Sequence, residues 1–293
     1  MGTLGRAGRG KSRRLERRRE GAFFAGKGLS RPNPTDCLTM RILVTFAVEA
    51  EFAPWKRLRN LQSRKAGGFE VFSAQIGRAS VDFVVSGMGL ESARRAAEAA
   101  MPPAPAICLA SGFAGALKPQ YKIGDIVAAR SVQLLGKAKT IKCSRNIVMA
   151  ALENQARDAK MFLTVSEVVS SSEEKQKLSP FADAVDMESF ATLTVAQEKK
   201  IPAAAVRVIS DRLDEDMPAN IETTVDDRGR VKIGGVVKHV ARHPLQIPAL
   251  IRLGRESRTA AEALAHFLEA FIKELSFREH GWPPPELQEA AAR

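Results

Sequence analysis

The chain has 293 residues, a length that suits one large domain or two small ones, and 45% of them are apolar, enough for a real core. No apolar run approaches the roughly 20 residues of a bilayer span, which excludes a transmembrane helix. Cys37, Cys108 and Cys143 have neither metal-site nor disulfide spacing, so a reducing, cytoplasmic setting is expected.

The net charge of +12 invites a nucleic-acid reading, yet residues 1–40 hold ten basic side chains against three acids, leaving only +5 for the remainder. Residues 1–39 are rich in Gly, Arg and Ser and end near "SRPNPTD". Such a composition buries too little apolar surface to fold. It reads as a disordered basic leader, dispensable for folding and activity, with a transit peptide or an RNA-binding tail as the alternatives.

From Arg41, short apolar runs alternate with longer amphipathic ones. "RILVTFAV" (41–48), "FEVFSAQI" (69–76) and "VDFVVSG" (81–87) read as strands, and "ESARRAAEAAM" (91–101) as a helix ending before Pro102 and Pro103. Strands follow at 106–112 and 125–135, a helix at 144–158 and a strand near 161–165. Residues 170–178 read as a polar loop and 187–199 as a helix, and 203–210 is a strand buried on both faces. Thr259 and Glu262 have capping-box spacing ahead of a stripe from Leu264 to Leu275. This alternation predicts one α/β domain over residues 40–277, with a flexible tail at 278–293.

Two acids stand out, Glu188 at a helix start and Asp211 at a strand end. A helix and a strand joined by the short "KKIP" turn run antiparallel, so both acids finish at one sheet edge. In open α/β sheets that edge, beyond the strand carboxyl ends, is where ligands bind. Glu49 and Glu51 follow the first strand, and the glycine-punctuated "SGMG" (86–89) and "SGFAG" (111–115) follow others, offering backbone N–H groups. Two carboxylates with glycine loops and no metal cluster suit cleavage at an anomeric carbon. One acid protonates the leaving group and the other holds sugar hydroxyls. Each acid alone also has a plain reading, as a helix-start charge or a solvated strand end.

Rival motifs are weaker. "GMGLES" (87–92) lacks the third glycine of a dinucleotide fingerprint and the acid after the next strand. His239 and His243 have metal-ligand spacing on a helix, but no third ligand is near and a proline follows.

Four segments in order, "ILVTFAVEAEF" (42–52), "VVSGMG" (84–89), "ASGFAGALKPQYKIGDIV" (110–127) and "AVDMESFA…IPAAAVRVISDRLDED" (184–216), resemble the nucleoside phosphorylase superfamily that includes the methylthioadenosine/S-adenosylhomocysteine nucleosidases. "VVSSSEEKQKL" (168–178), "DDRGRVKIGGVVKHVARHPLQIPALIRLGRES" (226–257) and the "SGFAG" spelling look more like a subgroup associated with hopanoid synthesis, whose members act on adenosylhopane. The resemblance implies a three-layer αβα fold with a central, mixed, largely buried sheet. It further implies release of a purine base, adenine, from a small-molecule nucleoside by a homo-oligomeric enzyme without a cofactor, and no nucleic acid as partner. Asp211 is then the acid that protonates the purine at N7 and Ser210 orients its carboxyl. Glu188 accepts hydrogen bonds from ribose hydroxyls, Met187 packs beneath the sugar and Val168 with Val169 holds the base. Glu51 activates the attacking water, and Arg207 compensates a buried carboxylate. Gly87, Gly89 and Phe113 complete the implied binding set.

Phe113 stands where the nucleosidases usually carry a small polar residue. Where purine phosphorylases place phosphate-binding arginines, this chain has Glu51 and Ala110, which favours water over phosphate as the nucleophile. Phosphorolysis, with Arg94 and Arg95 near the "SGMG" loop, is the alternative. Readings of another class are a non-catalytic purine-binding protein and a nucleic-acid-binding protein.

Overall fold

Apolar runs buried on both faces form the middle of one twelve-stranded mixed sheet. The computed structural model describes residues 40–217 and 247–278. The first half runs β1 (Arg41–Phe46), α1 (Glu49–Leu58), β2 (Gln62–Ala66), β3 (Phe69–Ile76), β4 (Ala79–Val85), α2 (Leu90–Ala100) and β5 (Ile107–Ala116). Next come β6 (Ile126–Ala129), β7 (Ser131–Leu134), β8 (Thr140–Lys142), α3 (Arg145–Glu153), β9 (Arg157–Ala159) and β10 (Phe162–Thr164). The chain continues through α4 (Ser172–Leu178), β11 (Ala184–Asp186), α5 (Ser189–Glu198) and β12 (Ala203–Asp211), and the last described helix, α6, spans Ile247–Phe277.

β5 is the strand on which the others depend. Its first half pairs in parallel with β1, its last residues pair antiparallel with β11, and β12 runs parallel to it along nearly its whole length. The path reads β2-β3-β4-β1-β5-β11-β10-β7-β8, with β12 also joined to β6 and β6 to β9. Pairing on both edges makes β5 a central strand, and with α5 and α6 packed on its faces its side chains are small or apolar. Alternation along β1 shows the layers: Ile42 and Val44 pack with Phe52, Trp55 and Leu264, whereas Leu43 packs with Ala96, Ala97 and Val195. The sheet thus lies between α2 with α5 on one face and α1, α3 and α6 on the other.

Several elements depart from the sequence expectations. The first strand stops at Phe46, and α1 follows despite Pro54 inside it. β2 is polar and exposed, an edge strand without an apolar signal. The 125–135 strand divides at Arg130 into β6 and β7, and α3 ends at Glu153, after which β9 forms. "SGFAG" is not a loop; it lies within β5. Residues 170–178, expected as a loop, contain α4, whose start is a capping box: Ser171 Oγ accepts from Glu174 N–H (3.2 Å) while Glu174 accepts from Ser171 N–H (3.3 Å). Thr259 does not cap a helix. It sits inside α6, its hydroxyl donating to the Arg255 carbonyl at 3.1 Å. The apolar stripe simply begins earlier, with Pro248 tolerated in the first turn. The leader, the tail beyond Arg278, and His239 and His243 lie outside the described residues.

α1 is fixed by aromatic packing. Trp55 is fully buried, its ring 4.7 Å from that of Phe83, and Phe52 packs on Phe46, Phe72 and Phe83. The Trp55 Nε1–H has no acceptor among the described residues. Trp55→Ala should therefore lower unfolding free energy by about 3–5 kcal/mol. Trp55→Phe, which also removes the unpaired donor, should cost much less. Denaturant unfolding of both variants measures the difference, and equal losses would contradict the packing account.

Candidate active site

Glu51, Glu188 and Asp211 line a single cavity of about 550 Å³ at the carboxyl edge of the sheet. Each arrives on a different element. Glu51 sits in the first turn of α1, immediately after β1. Glu188 is the N-cap of α5, outside the helix at φ −130 and ψ −28, which frees its side chain to point away from the helix. Asp211 ends β12, where the register with β5 shifts.

Beneath them lies Arg207, 1% exposed in the middle of β12. Its Nε is 3.1 Å from Asp186 Oδ2, its Nη2 donates to Glu188 Oε2 (3.4 Å) and Ser189 Oγ (3.1 Å), and its Nη1 donates to the Phe113 carbonyl (3.3 Å). The guanidinium is thus engaged with protein groups and does not line the cavity. Asp186 is anchored in turn by the Thr164 hydroxyl, which donates to it at 2.7 Å.

Glu51 is held by backbone. Oε2 accepts from Ala47 N–H (2.7 Å) and Val48 N–H (2.9 Å), and Oε1 accepts from Phe113 N–H (2.7 Å). The last bond requires β5 to pass close under the carboxylate, and Gly112 makes that approach. At φ +128 it adopts backbone that L side chains avoid, and a Cβ there would lie 2.5 Å from Glu51 Oε1 and 2.8 Å from Arg207 Nη1. Gly89, at φ +90, donates its N–H to Glu188 Oε1 at 2.9 Å, so the loop before α2 clamps the acid.

Residues 41–242 match the family model described as the phosphorylase superfamily. The chain belongs to that superfamily. Its fold is shared by the futalosine hydrolase of Helicobacter pylori, at 19% identity and TM-score 0.62, over 80% of this chain and 99% of that one. It is shared by the 5′-methylthioadenosine/S-adenosyl homocysteine nucleosidase of the same bacterium, at 19% identity and TM-score 0.63, with the same coverage. The S-adenosylhomocysteine nucleosidase of Streptococcus pyogenes matches at 17% identity and TM-score 0.63, over 82% of this chain and 99% of that one.

Within this superfamily chain, Met187, Phe113, Val168, Val169 and Ser210 also line the cavity. Gly87 and Gly89 stand behind the wall, their N–H groups engaged by the Ala47 carbonyl and by Glu188. Arg94 and Arg95 turn away: Arg94 pairs with Glu98 and Glu198, and Arg95 lies over the Phe69 ring. Three site features escaped the sequence reading. Asp186 sits inside the quoted D-M-E-S segment, on a strand of only three residues. Leu250 and Leu253 of α6 enter the lining from the far end of the chain. Lys175 of α4, fully buried, puts Nζ 2.5 Å from Asp211 Oδ2. For α4 itself the S-x-x-E spacing of "SSEE" was a legible signal. For Lys175 there was none, since a lysine on a short polar helix reads as solvated.

Three acids around one buried cation leave excess negative charge in a buried site. Burial above all, with Asp186 and Glu51 adding to it against Arg207 and the Gly89 N–H, pushes the Glu188 carboxyl up to about 7. Burial likewise raises Glu51, against Arg207 and its three backbone donors. A carboxyl raised on folding holds its proton more tightly in the native state. Its contribution to stability is full below the ordinary value of 4.5 and is lost as pH rises through about 7. Glu188→Gln should abolish that loss. Between pH 5 and 8 the wild type should fall relative to the variant by up to about 3 kcal/mol, the ceiling set by the shift. Parallel unfolding curves at both pH values would contradict it.

Proposed function

We propose that the chain cleaves the N-glycosidic bond of a purine nucleoside, with adenine as the base and water as the nucleophile. The observation that carries this reading is the convergence of Glu51, Glu188 and Asp211 on one cavity. Asp211 protonates the departing base at N7, with Ser210 Oγ donating to its Oδ1 at 2.8 Å and fixing the carboxyl's rotation. Glu188, ionised, accepts hydrogen bonds from ribose hydroxyls, which become more acidic as the ring approaches an oxocarbenium ion. Met187 packs beneath the sugar, and Val168 and Val169 flank the base. Glu51 takes a proton from the attacking water.

The disposition of charge supports water. A carboxylate at the cavity wall repels a phosphate dianion, and Arg94 and Arg95 are engaged elsewhere. One observation favours phosphorolysis: Arg57 and Arg258 both line the cavity, sharing Glu262 as their acid at 3.3 and 3.1 Å. The lining also includes Met217, Leu250 and Leu253, an apolar wall that suits a large apolar 5′ substituent such as that of adenosylhopane.

Asp211→Asn should lower the rate of base release by roughly 10²–10⁴-fold, with Asp211→Glu retaining much more. An unimpaired Asn variant would remove Asp211 from the chemistry. In phosphate-free buffer the wild type should release base at an unchanged rate with free ribose as co-product; strict dependence on phosphate, with a sugar 1-phosphate formed, selects the alternative. Because Glu188 must be ionised to accept from the sugar, kcat/KM should rise with pH through about 7. The Glu188→Gln variant should lose that inflection, and its persistence there would assign it to another group.

A further inference from the structure

Lys175 is the buried charge that the chemistry above leaves unused. It lies on a seven-residue helix whose other charged side chains, Glu173, Glu174 and Lys177, are exposed. Lys175 alone faces inward, with no exposed surface. Burying an ammonium is costly unless each of its donors is met. Here Nζ donates to the Arg212 carbonyl at 2.8 Å and the Glu215 carbonyl at 2.9 Å, and Asp211 Oδ2 stands 2.5 Å away. Pinning the 212–215 turn to α4 needs only the two carbonyls. The third contact falls on the one carboxylate at the end of β12, whose other oxygen is already fixed by Ser210.

We propose that Lys175 is a positioning residue for leaving-group protonation, a role that rests on the functional reading above. As the bond between C1′ and the base nitrogen breaks, its electron pair goes to the purine. Asp211 enters the step as the neutral acid, having taken a proton from solvent; that proton passes to N7, and a carboxylate is left behind in a buried site. The Lys175 ammonium is already in place against that developing charge and needs no reorganisation, the arrangement by which fixed charges lower barriers most effectively. It faces Oδ2 as a charge, since that oxygen accepts no hydrogen bond among the described residues, while Ser210 fixes Oδ1. Water adds to C1′ and gives up a proton to Glu51, and no oxidant or reductant enters the step.

The test is a double-mutant cycle of Lys175→Met and Asp211→Asn on a purine nucleoside the wild type cleaves. Lys175→Met should lower kcat by about 10²-fold or more while KM stays within about threefold. If Lys175 acts through Asp211, the double variant should be no slower than Asp211→Asn alone, within about threefold. Losses that multiply, or a Lys175→Met enzyme with undiminished kcat, overturn the proposal. A second reading uses 4-nitrophenyl riboside, whose phenolate leaves without a proton. There Lys175→Met should cost less than about fivefold, whereas a merely structural lysine predicts equal losses on both substrates. Should Lys175→Met not fold, the substitution is made in the Asp211→Asn background, where no carboxylate is left unpaired, and any further rate loss there overturns the proposal. A wild type that releases no base from any nucleoside is a separate result, and it refutes the functional reading itself.

Discussion

A guanidinium buried at the centre of the molecule is the constraint around which the site is built. Arg207 occupies a strand whose neighbours in sequence, Val206 and Val208, are wholly apolar core. A cation there is tolerable only with carboxylates beside it, because an unpaired buried charge costs far more than a pair contributes. Asp186 and Glu188, two residues apart, and the distant Glu51 supply those surroundings. Each is then fixed by its own backbone or hydroxyl donors. The close pass of β5 at Gly112 follows from the same demand, since Glu51 and Arg207 together occupy the volume a side chain there would need.

Given that frame, acids of similar intrinsic chemistry acquire different characters from their neighbours. Glu188 is clamped by one backbone N–H and one arginine and is raised to about 7 by burial and nearby like charge. Glu51 is wrapped by three backbone donors. Asp211 alone faces an ammonium. Separation of roles among carboxylates in one cleft commonly arises in this way, from environment and not from residue type.

The middle of the fold was legible in the sequence because its signal is strong and local. β1 and β12 are apolar runs and β3 alternates, and the short turn between α5 and β12 dictates the antiparallel return that brings Glu188 and Asp211 to one edge. Legibility failed where tertiary context decides. β2 is polar but for Ala66 and is a strand because β3 pairs with it. α1 tolerates Pro54 because its aromatic face is locked into the core. "SGFAG" carries two glycines, one at φ +128, yet stays within the sheet, because β12 pairs along the whole of it. Lys175 defied reading for a different reason: what turns it inward is a carboxylate thirty-six positions away, which no local pattern encodes.

The placement of α6 carries a consequence for how the chain responds to an occupant. Its first turns supply Leu250, Leu253 and Gly254 to the cavity wall, while its later turns, through Leu264, Leu268 and Phe271, belong to the core. One rigid element therefore spans from a surface that meets a ligand to the interior that holds the sheet. A molecule filling the cavity adds contacts to the half of the helix with the fewest packing partners, and binding free energy is transmitted there as local stability. Amide exchange in residues 247–258 becomes a reporter of occupancy, slowing with ligand while the turns beyond Ala260 stay unchanged.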